Sequence, residues 1–268
     1  MLITFLSDFG LTDDFVGTCH GVIKRIAPDA EIIDITHGIP PQAVLPGAIV
    51  LANTIRYMPA GVHLAVVDPG VGTSRRAIAL RDRSDRLYVG PDNGLLVPAA
   101  EQQGGIAAAH ELVNEAYRLE HVSATFHGRD IFAPAAAHLA SGVDIAELGP
   151  SLDPATLVSL DIPQAEVGRQ RIRATVLYVD RFGNVQLNVG RRHLEAVGFE
   201  PGTRVELVFP LERYYAIAAR TFADARRGDL ILYEDSYGNI ALALRGGNAA
   251  SMLSAGPGDE LRIGPAPE

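Results

Sequence analysis

The chain has 268 residues, with 23 lysines and arginines against 32 aspartates and glutamates, and its formal net charge is −9. Its composition of 47% hydrophobic and 21% charged residues is sufficient for a substantial core and excludes an intrinsically disordered chain. Because phosphate backbones bind to basic surfaces, the acidic balance argues against a nucleic-acid partner. We therefore expect a small-molecule substrate.

The cysteine content and the first ten residues indicate the cellular compartment. The single cysteine, Cys19, excludes an intrachain disulfide, and without CxxC or HExxH spacing no structural zinc site is predicted. The N-terminal stretch lacks a basic region and reaches Asp8 before any long apolar run, so neither a signal peptide nor a membrane span is predicted. We expect a cytoplasmic protein without a membrane partner.

Residues 1–160 predict an α/β domain with a mainly parallel sheet flanked by helices, because short apolar runs alternate with amphipathic stretches. Apolar residues recur at helical spacing from Phe15 to Ile26, until Pro28 ends the run. The other predicted helices are Ala48–Tyr57 and Phe132–Ala140, and the predicted strands are Met1–Ser7, Glu31–Ile35, Val62–Val67 and Leu87–Gly90.

Residues 161–268 predict a smaller C-terminal antiparallel β-barrel domain. The segment 149–164 contains three prolines and no clear periodicity, which is typical of a linker and places the domain boundary near residue 160. Alternating β-rich segments separated by Gly, Asp and Asn turns follow it. The predicted strands are Thr175–Val179, Val185–Val189, Arg204–Phe209, Leu230–Tyr233 and Ile240–Leu244.

The first candidate site is the segment Ser7–Gly10, which follows the first predicted strand. A carboxylate at this position, Asp8, lies at the sheet edge where open α/β sheets bind ligands. An ionised carboxylate accepts two hydrogen bonds at once and can hold both hydroxyls of a ribose. The alternative is a helix-capping turn.

The second candidate is the segment Asp68–Arg76, which follows another predicted strand. Its glycines Gly70 and Gly72 permit close backbone approach, but neither GxxxxGK[ST] nor GxGxxG is present. Arg75 can hold Asp68 ionised by charge proximity and make it a fixed polar group. The alternative is a surface turn with a salt bridge of little energetic value.

The third candidate is His127, next to a glycine and ahead of an alanine-rich helix, where an imidazole can orient or transfer a proton. A structural role is the alternative. The remaining histidines are interpreted as structural or surface residues: His20, His37, His63, His110, His121, His138 and His193. A metal cluster of Asp8, Asp68, Asp92 and His127 is not expected, because scattered acids lack close histidine pairing.

The fourth candidate lies in the β-rich half, in the segments Asp180–Asn184, Thr221–Asp224 and Asp235–Asn239. An asparagine side chain offers a donor and an acceptor that match the Hoogsteen edge of adenine, and a phenylalanine can stack on the ring. Each segment has a plainer interpretation as a hairpin turn, a core residue or a polar loop.

Six motifs occur in the order that one family shows: SDFG-LTDDFVG, DPGVGTSRR, GPDNGLL, TFHGRDIFAPAAAHLA, DRFGN and TFAD. The chain resembles the S-adenosyl-L-methionine (SAM) hydrolases, also called SAM hydroxide adenosyltransferases, which are relatives of the SAM-dependent fluorinase and chlorinase. The resemblance spans nearly the whole chain. It implies an α/β domain, a C-terminal β-barrel, and a homotrimer with sites between the N-domain of one subunit and the C-domain of its neighbour.

The resemblance also implies substrate-binding residues. At the adenosine end, Asp8 matches the ligand of the ribose hydroxyls, Asn184 the residue at the adenine edge, and Phe222 its stacking wall. Ala249 matches a backbone contact.

At the methionine end, Asp180 and Ser236 match ligands of the amino and carboxylate groups. Tyr237 stands where the fluorinase has an arginine, so the group that binds the carboxylate differs.

Asp68, Arg75 and His127 match the set that positions a water molecule in the hydrolases. The halogenating relatives have tyrosine at the place of Asp68, the fluorinase also has serine at the place of Gly128, and its long insertion after Arg75 is missing. Displacement at C5′ expels neutral methionine, so alignment of the nucleophile is the main demand and no metal or redox cofactor is required. We expect hydrolysis of SAM to adenosine and L-methionine. The alternatives are a halogenase and a non-catalytic sensor of SAM or adenosine.

Overall fold

A computed structural model describes residues 1–267 of the chain. The chain divides into two compact units, Met1–Asp161 and a second that begins at Ile162. None of the helices in the described residues is long and apolar enough to cross a membrane.

The first unit is a six-stranded sheet with helices on both faces, which confirms the predicted α/β domain. Its elements are β1 (Leu2–Ser7), α1 (Phe15–Ile26), β2 (Glu31–Thr36), α2 (Val44–Ile55), β3 (Val62–Val66), β4 (Ala77–Asp82), β5 (Leu87–Pro91), α3 (Val97–Gln102), β6 (Ile106–Glu111) and α4 (Ala133–Ala140). The strand order is β2-β1-β3-β5-β4-β6. The pairs β1–β2, β1–β3 and β3–β5 are parallel, and β4 pairs antiparallel with β5 and β6.

Side-chain alternation along the central strands creates two cores, one on each face of the sheet. In β3, Val62, Leu64 and Val66 point into the core under α1 and α4. The intervening Ala65 and, just past the strand end, Val67 point into the core under α2 and α3. A strand buried on both faces is apolar throughout, because each of its successive side chains meets a helix layer.

The antiparallel part of the sheet was not predicted. β4 ends in a turn that Asp82 organises: its carboxylate accepts hydrogen bonds from the backbone N–H groups of Ser84 and Arg86 and from the Tyr88 hydroxyl. Asp82 is fully buried, so a charged residue in the sequence marks a buried turn rather than a solvent loop. Helix α2 begins at Val44, earlier than the predicted Ala48, because Pro46 lies in its first turn, where no backbone N–H partner is needed.

The second unit is a closed barrel of seven strands, which confirms the predicted barrel. Its elements are β7 (Glu166–Val167), β8 (Ile172–Val179), β9 (Val185–Gly190), α5 (Arg191–Ala196), β10 (Arg204–Val208), β11 (Arg213–Ala219), β12 (Leu230–Glu234), β13 (Asn239–Leu244), α6 (Ala249–Leu253) and β14 (Glu260–Pro265). The order is β14-β10-β11-β12-β13-β9-β8, and a β14–β8 pairing closes the ring. β7 adds to the outside of β8. The barrel is antiparallel except for the parallel pair β11–β12.

Candidate functional site

Two predicted site residues, Asp8 and Asp68, lie with a third aspartate, Asp92, at one edge of the sheet in the first unit. Because β1, β3 and β5 run parallel, their carboxyl ends meet at that edge, and Asp8, Asp68 and Asp92 each follow one of these strands within two residues. This is the edge at which open α/β sheets hold ligands. The sheet topology therefore brings carboxylates from distant parts of the sequence to the same edge.

Asp68 and Arg75 form a bidentate ion pair. Nε of Arg75 donates to Oδ1 of Asp68 at 3.1 Å, and Nη2 donates to Oδ2 at 2.5 Å. The two side chains are only 6% and 8% exposed, respectively. The Arg75 guanidinium carbon also lies 5.2 Å from the centroid of the Phe132 ring, a cation–π contact. Burial and two-point geometry distinguish this pair from the loose surface salt bridge that was the alternative.

His127 joins this pair through Arg75. Nη2 of Arg75 lies 3.1 Å from Nδ1 of His127, and a guanidinium can only donate, so Nδ1 is the accepting nitrogen. The pKa of His127 is lowered, first by burial and then by the positive charge of Arg75. The imidazole is therefore neutral at neutral pH and carries its proton on Nε2. Asp68, Arg75 and His127 form one connected cluster.

The loop that carries His127 is fixed by Asp130, a residue for which no role was predicted. Its fully buried carboxylate accepts hydrogen bonds from the side chain of Arg129 and from the backbone N–H of Ser123. Burial by itself raises the pKa of Asp130, but these hydrogen bonds outweigh it and lower the pKa, so the carboxylate stays ionised. The residues Gly128–Phe132 form a π-helical turn that leads into α4.

Two glycines allow the loops of the cluster to approach closely. Gly72 has a φ of +77°, and a Cβ there would lie 2.4 Å from the carbonyl oxygen of Ala124, so the Asp68–Arg76 loop contacts the segment before His127. A Cβ at Gly128 would lie 2.8 Å from Cζ of Phe9. Larger side chains at either position would separate the loops.

Asp8 lies half-buried at the same edge, and its Oδ2 accepts a hydrogen bond from the backbone N–H of Gln42 at 2.8 Å. The pKa of Asp8 is raised, mainly by burial and further by the negative charge of Asp68, against the lowering effect of the Gln42 N–H. Because α1 begins at Phe15, after Asp14, Asp8 does not cap that helix.

Asp92, in contrast to Asp8, makes contacts that hold the fold together. Arg76 donates to its Oδ2 at 2.8 Å, and the backbone N–H of Val158 donates to its Oδ1 at 2.9 Å. Arg76 also donates to the carbonyl of Thr156. The Asp92 carboxylate therefore ties the end of β5 to the segment that follows the short turn Pro154–Thr156.

In the second unit, two hairpin turns with the pattern Asp-x-x-Gly-Asn have the same geometry. Oδ1 of Asp180 accepts the backbone N–H groups of Phe182 and Asn184, both at 2.8 Å. Oδ1 of Asp235 accepts those of Tyr237 and Asn239 at 2.8 and 2.9 Å. The fourth residue of each turn is a glycine with positive φ, +79° and +86°, a conformation that favours glycine. Both segments are therefore hairpin turns, between β8 and β9 and between β12 and β13, and they carry their aromatic residues, Phe182 and Tyr237, in matching positions.

These turns flank a cleft of about 810 Å³. Its lining includes five of the six predicted residues of this unit: Asp180, Asn184, Phe222, Ser236 and Tyr237. It also includes Phe182 and Tyr233, which the sequence analysis did not single out. Phe182 is 76% exposed, and an exposed phenylalanine in a polar turn was the sequence signal that could have identified it.

Three of the predicted residues in this unit have specific environments. Both Asp180 oxygens are engaged by the turn, since Oδ2 accepts from Nδ2 of Asn184 at 2.7 Å. The Phe222 ring is 43% exposed and lies 5.0 Å from the Tyr233 ring. Ala249 is buried at the start of α6 and does not line the cleft, although the next residue, Ala250, donates its N–H to the carbonyl of Gly183 in the first turn.

Comparison with known proteins places the two domains in one family. The sequence profile of the SAM hydroxide adenosyltransferase N-terminal domain matches residues 3–149, and that of the C-terminal domain matches residues 174–262. A Salinispora tropica protein named (R)-S-adenosyl-L-methionine hydrolase is 50% identical over 261 residues, which are 97% of each chain. A fluorinase from Actinopolyspora mzabensis is 30% identical over 292 residues, covering 98% of this chain and 96% of the fluorinase.

A solved structure has the same fold as this chain. The crystal structure of an uncharacterized conserved protein from Thermotoga maritima matches with a TM-score of 0.91 at 38% identity, covering 97% of this chain and 99% of that one. The protein is therefore a two-domain protein, with an α/β domain that carries polar loops at its strand ends and a β-barrel that carries an aromatic cleft. The chain belongs to the SAM hydroxide adenosyltransferase family, as its six motifs predicted.

Proposed function

We propose that the protein hydrolyses S-adenosyl-L-methionine to adenosine and L-methionine by attack of water at the ribose C5′ carbon. The observation that carries the proposal is the connected cluster of Asp68, Arg75 and His127, which occurs in a chain 50% identical to a protein named as such a hydrolase. The reaction forms a C5′–oxygen bond, breaks the C5′–sulfur bond, and leaves the electron pair of that bond on the methionine sulfur.

The cluster supplies complementary contacts for a water molecule. Arg75 occupies Nδ1 of His127, so Nε2 of this histidine remains as a donor that can hold the water oxygen. The Asp68 carboxylate, fixed by two N–H groups, has lone pairs left to accept a hydrogen bond from the water and then the proton that it loses. Asp68 and His127 are both held by Nη2 of Arg75, and one bound water is proposed to bridge the Asp68 carboxylate and Nε2 of His127.

The charge of Asp68 also selects the nucleophile. A carboxylate repels a halide ion but accepts a hydrogen bond from water. Since methionine leaves as a neutral thioether, no acid has to protonate it. Positioning of water in line with the C5′–sulfur bond is therefore the main contribution of the protein.

The remaining predicted residues are proposed to hold the substrate. Asp8 binds the ribose hydroxyls, Asn184 binds the adenine edge, and Phe222 stacks on the adenine. Asp180 and Ser236 bind the amino and carboxylate groups of methionine.

Tyr237 lies beside these methionine ligands in the cleft, and Ala249 offers a backbone contact near the first turn. The half-buried carboxylate of Asp8 and the exposed aromatic cleft support these assignments.

The configuration at sulfur is part of the proposal. The sulfonium sulfur of SAM is a stereocentre, so its two epimers direct the methionine chain differently from the same adenosine position. Because the Salinispora tropica relative is named for the (R) epimer, we propose that this chain acts on (R)-S-adenosyl-L-methionine. We also propose a cytoplasmic homotrimer, with each site formed by the first unit of one subunit and the second unit of its neighbour. Light scattering after size-exclusion chromatography measures that assembly.

Product analysis tests the reaction. Purified protein is incubated with each SAM epimer in halide-free buffer made with oxygen-18 water, and the products are separated by chromatography and weighed by mass spectrometry. Adenosine carrying one heavy oxygen at C5′, with an equal amount of methionine, is expected from the (R) epimer. Absence of adenosine from both epimers, in single-turnover as well as steady-state conditions, would reject the proposal in favour of a sensor.

Halide addition and three variants extend the test. A 5′-halo-5′-deoxyadenosine product after addition of chloride or fluoride would indicate a halogenase. Asp68→Ala and His127→Ala are expected to lower kcat far more than they raise KM, whereas Asp8→Ala is expected to raise KM mainly, because it loses ground-state ribose contacts. An equal loss of affinity in all three variants would contradict these roles.

A further inference from the structure

Two histidines and an aspartate converge outside the cluster described above, on the face of the sheet that packs against α1. His20 lies on α1, Asp34 lies on β2, and His37 immediately follows β2. Nε2 of His20 and Nε2 of His37 lie 2.9 and 3.1 Å from the same oxygen, Oδ1 of Asp34. All three potential ligand atoms lie within 4.8 Å of one another.

The buried member of this group has an unsatisfied nitrogen. The His37 side chain is 2% exposed, and its Nε2 forms no hydrogen bond of good geometry, although Oδ1 of Asp34 lies 3.1 Å away. A buried polar atom without a partner is costly and calls for an explanation such as an ion. Here the nitrogen faces a carboxylate and a second imidazole.

The other ring nitrogen of His37 has the partner that metal-binding histidines require. Nδ1 lies 2.7 Å from Oγ of the buried Ser7. A proton on Nδ1 donated to Ser7 leaves the Nε2 lone pair directed at Asp34 and His20, which is the orientation that fixes a histidine ligand.

The spacing of the three groups fits a small transition-metal ion. Zinc–nitrogen bonds of 2.0–2.1 Å in a tetrahedron separate neighbouring ligand atoms by about 3.3 Å. The two imidazole nitrogens lie 2.9 and 3.1 Å from Oδ1 of Asp34, so these two separations need to open by only a few tenths of an ångström. The two imidazole nitrogens lie within 4.8 Å of each other, a separation that movement of the His20 side chain would have to bring to the tetrahedral value. Asp34 is 40% exposed and His20 31% exposed, so the carboxylate can move and a water can complete the coordination.

We propose that His20, Asp34 and His37 form a binding site for a divalent transition metal, with zinc as the ion that best fits two imidazoles and one carboxylate. The site uses none of the residues of the Asp68–Arg75–His127 cluster, and the metal is not proposed to take part in the bond-making or bond-breaking step.

A metal at this site is linked to the loop that carries Asp8. His37 contacts Ser7 through its side chain, and its carbonyl oxygen accepts the N–H of Gly10 at 2.8 Å. In the sequence, Asp8 stands between Ser7 and Gly10, the two residues that His37 contacts. A bound ion would therefore immobilise the loop between β1 and α1 and connect β2 with α1, which stabilises the first unit.

Metal titration tests the proposal directly. Full-length protein stripped with a chelator is titrated with Zn²⁺ in a calorimeter at pH 7.5, and its Tm is measured with Zn²⁺ and, separately, with Mg²⁺. We expect one Zn²⁺ per chain and a rise in Tm with zinc but not with magnesium, which prefers oxygen ligands. Co²⁺ in place of zinc should give the visible absorption of a four- or five-coordinate ion.

Ligand variants separate this site from other zinc-binding groups on the surface. His20→Ala and Asp34→Asn are expected to weaken zinc binding by at least about tenfold and to abolish the cobalt absorption. His121→Ala, which removes an exposed histidine outside the group, should leave both unchanged. The proposal would be overturned if the unaltered protein bound no zinc, or if His20→Ala and Asp34→Asn bound zinc as tightly as the unaltered protein. The three residues would then be a polar network.

Discussion

Arg75 and His127 share one hydrogen bond, from Nη2 of the guanidinium to Nδ1 of the imidazole at 3.1 Å. The same Nη2 holds Oδ2 of Asp68 at 2.5 Å. One nitrogen therefore sets both the orientation of the carboxylate and the tautomer of the histidine. Asp68 and His127, the two residues proposed to contact the attacking water, therefore depend on Arg75, which is itself too well paired to react.

Replacement of Arg75 by lysine tests this dependence. A lysine ammonium keeps the charge but cannot make a bidentate contact with Asp68 and also reach His127 in a fixed plane. We expect Arg75→Lys to lower kcat by about 100-fold, the scale of a misplaced proton-transfer group, with a smaller change in KM. The measurement is steady-state adenosine release.

Arg76→Lys is the matched control for this variant. Arg76 is the next residue along the chain, and its side chain also pairs with an aspartate, Asp92, rather than with Asp68 or His127. The control is expected to keep kcat within a few-fold. Equal losses in the two variants would mean that loop stability, rather than the position of Asp68 and His127, accounts for the effect.

The pH dependence of the rate reports on His127. Burial and Arg75 lower the pKa of this imidazole, and protonation of Nδ1 would remove the acceptor of the Arg75 hydrogen bond. The neutral form is therefore kept at pH values above the lowered pKa, and activity is lost as the pH falls through it. We expect the acid limb of kcat to lie below the ordinary histidine value of about 6.5.

His127→Gln provides the comparison for the pH profile. Its side-chain amide does not titrate, so the residual activity of this variant should lack that acid limb. An unchanged limb in His127→Gln would assign it to another group, such as Asp8.

Gly128 is predicted to be intolerant of any side chain. A Cβ at this position would lie 2.8 Å from Cζ of Phe9, and the Phe9 ring itself packs edge-on against Phe126 at 5.7 Å. Gly128→Ser is expected to destabilise the protein by about 1–3 kcal/mol through overpacking and to reduce hydrolysis without creating halogenase activity. Urea denaturation and product analysis measure the two effects.

Gly17→Ala is the matched control for Gly128→Ser. A Cβ at Gly17 would have no neighbour within 4 Å, and the residue lies inside α1. Alanine is preferred over glycine in a helix, so this variant should be neutral or up to about 1 kcal/mol more stable. Tolerance of serine at Gly128 would show that Phe9 can move aside.

The parts of the fold that follow a repeating pattern could be predicted from the sequence. The helix spacing from Phe15 to Ile26 gave the observed bounds of α1, because its buried stripe of Val16, Cys19, Val22 and Ile23 is regular. β4 was missed because the turn that ends it depends on buried Asp82, and β6 was missed because its segment, Ile106–Glu111, is rich in alanine and has no clear alternation. Such a turn resembles a polar loop until its hydrogen bonds are known.

The candidate site was predictable in its residues but not in its supporting contacts. Asp68, Arg75 and His127 were identified by motif, yet the sharing of one Arg75 nitrogen needs the fold of two distant loops. Asp130 lay within a quoted motif without a role, because a carboxylate that holds a loop has the same sequence appearance as an exposed one. The convergence of His20 with His37 was also missed, because it depends on how α1 lies against the end of β2.

Asp180 is predicted to act on the cleft through the turn that it organises. Its Oδ1 holds two backbone N–H groups and its Oδ2 holds the side chain of Asn184. Asp180→Ala should release Asn184 from its fixed orientation and weaken adenosine binding by at least about tenfold, equivalent to about 1.4 kcal/mol. Isothermal calorimetry with adenosine measures the change.

Asp259→Ala serves as the control for Asp180→Ala. Asp259 also accepts a backbone N–H within a turn of the barrel, from Gly256, but it does not line the cleft. It should keep the adenosine affinity of the unaltered protein. The proposed position of adenine would be wrong if Asp180→Ala bound adenosine as tightly as Asp259→Ala.

The acid stability of the protein is expected to depend on His63, a histidine with no proposed part in binding or catalysis. His63 is fully buried in β3, where Nδ1 lies 2.9 Å from Oγ1 of Thr4 and Nε2 has no hydrogen-bond partner. Burial, aided by the charge of Arg86, lowers its pKa to about 3. Between pH 6.5 and 3 the unfolded chain therefore binds a proton that the folded chain does not, so stability falls as the pH is lowered through this range.

From pH 7 to pH 5 this one histidine should remove about 2 kcal/mol from the free energy of unfolding. His63→Gln cannot titrate, so its free energy of unfolding, measured by urea denaturation, should decline by about 2 kcal/mol less over that interval. His121→Gln, an exposed histidine, should retain the full decline. If His63→Gln and the unaltered protein lose stability equally between pH 7 and pH 5, the folded chain must admit a proton at His63, and the acid sensitivity must arise from other groups.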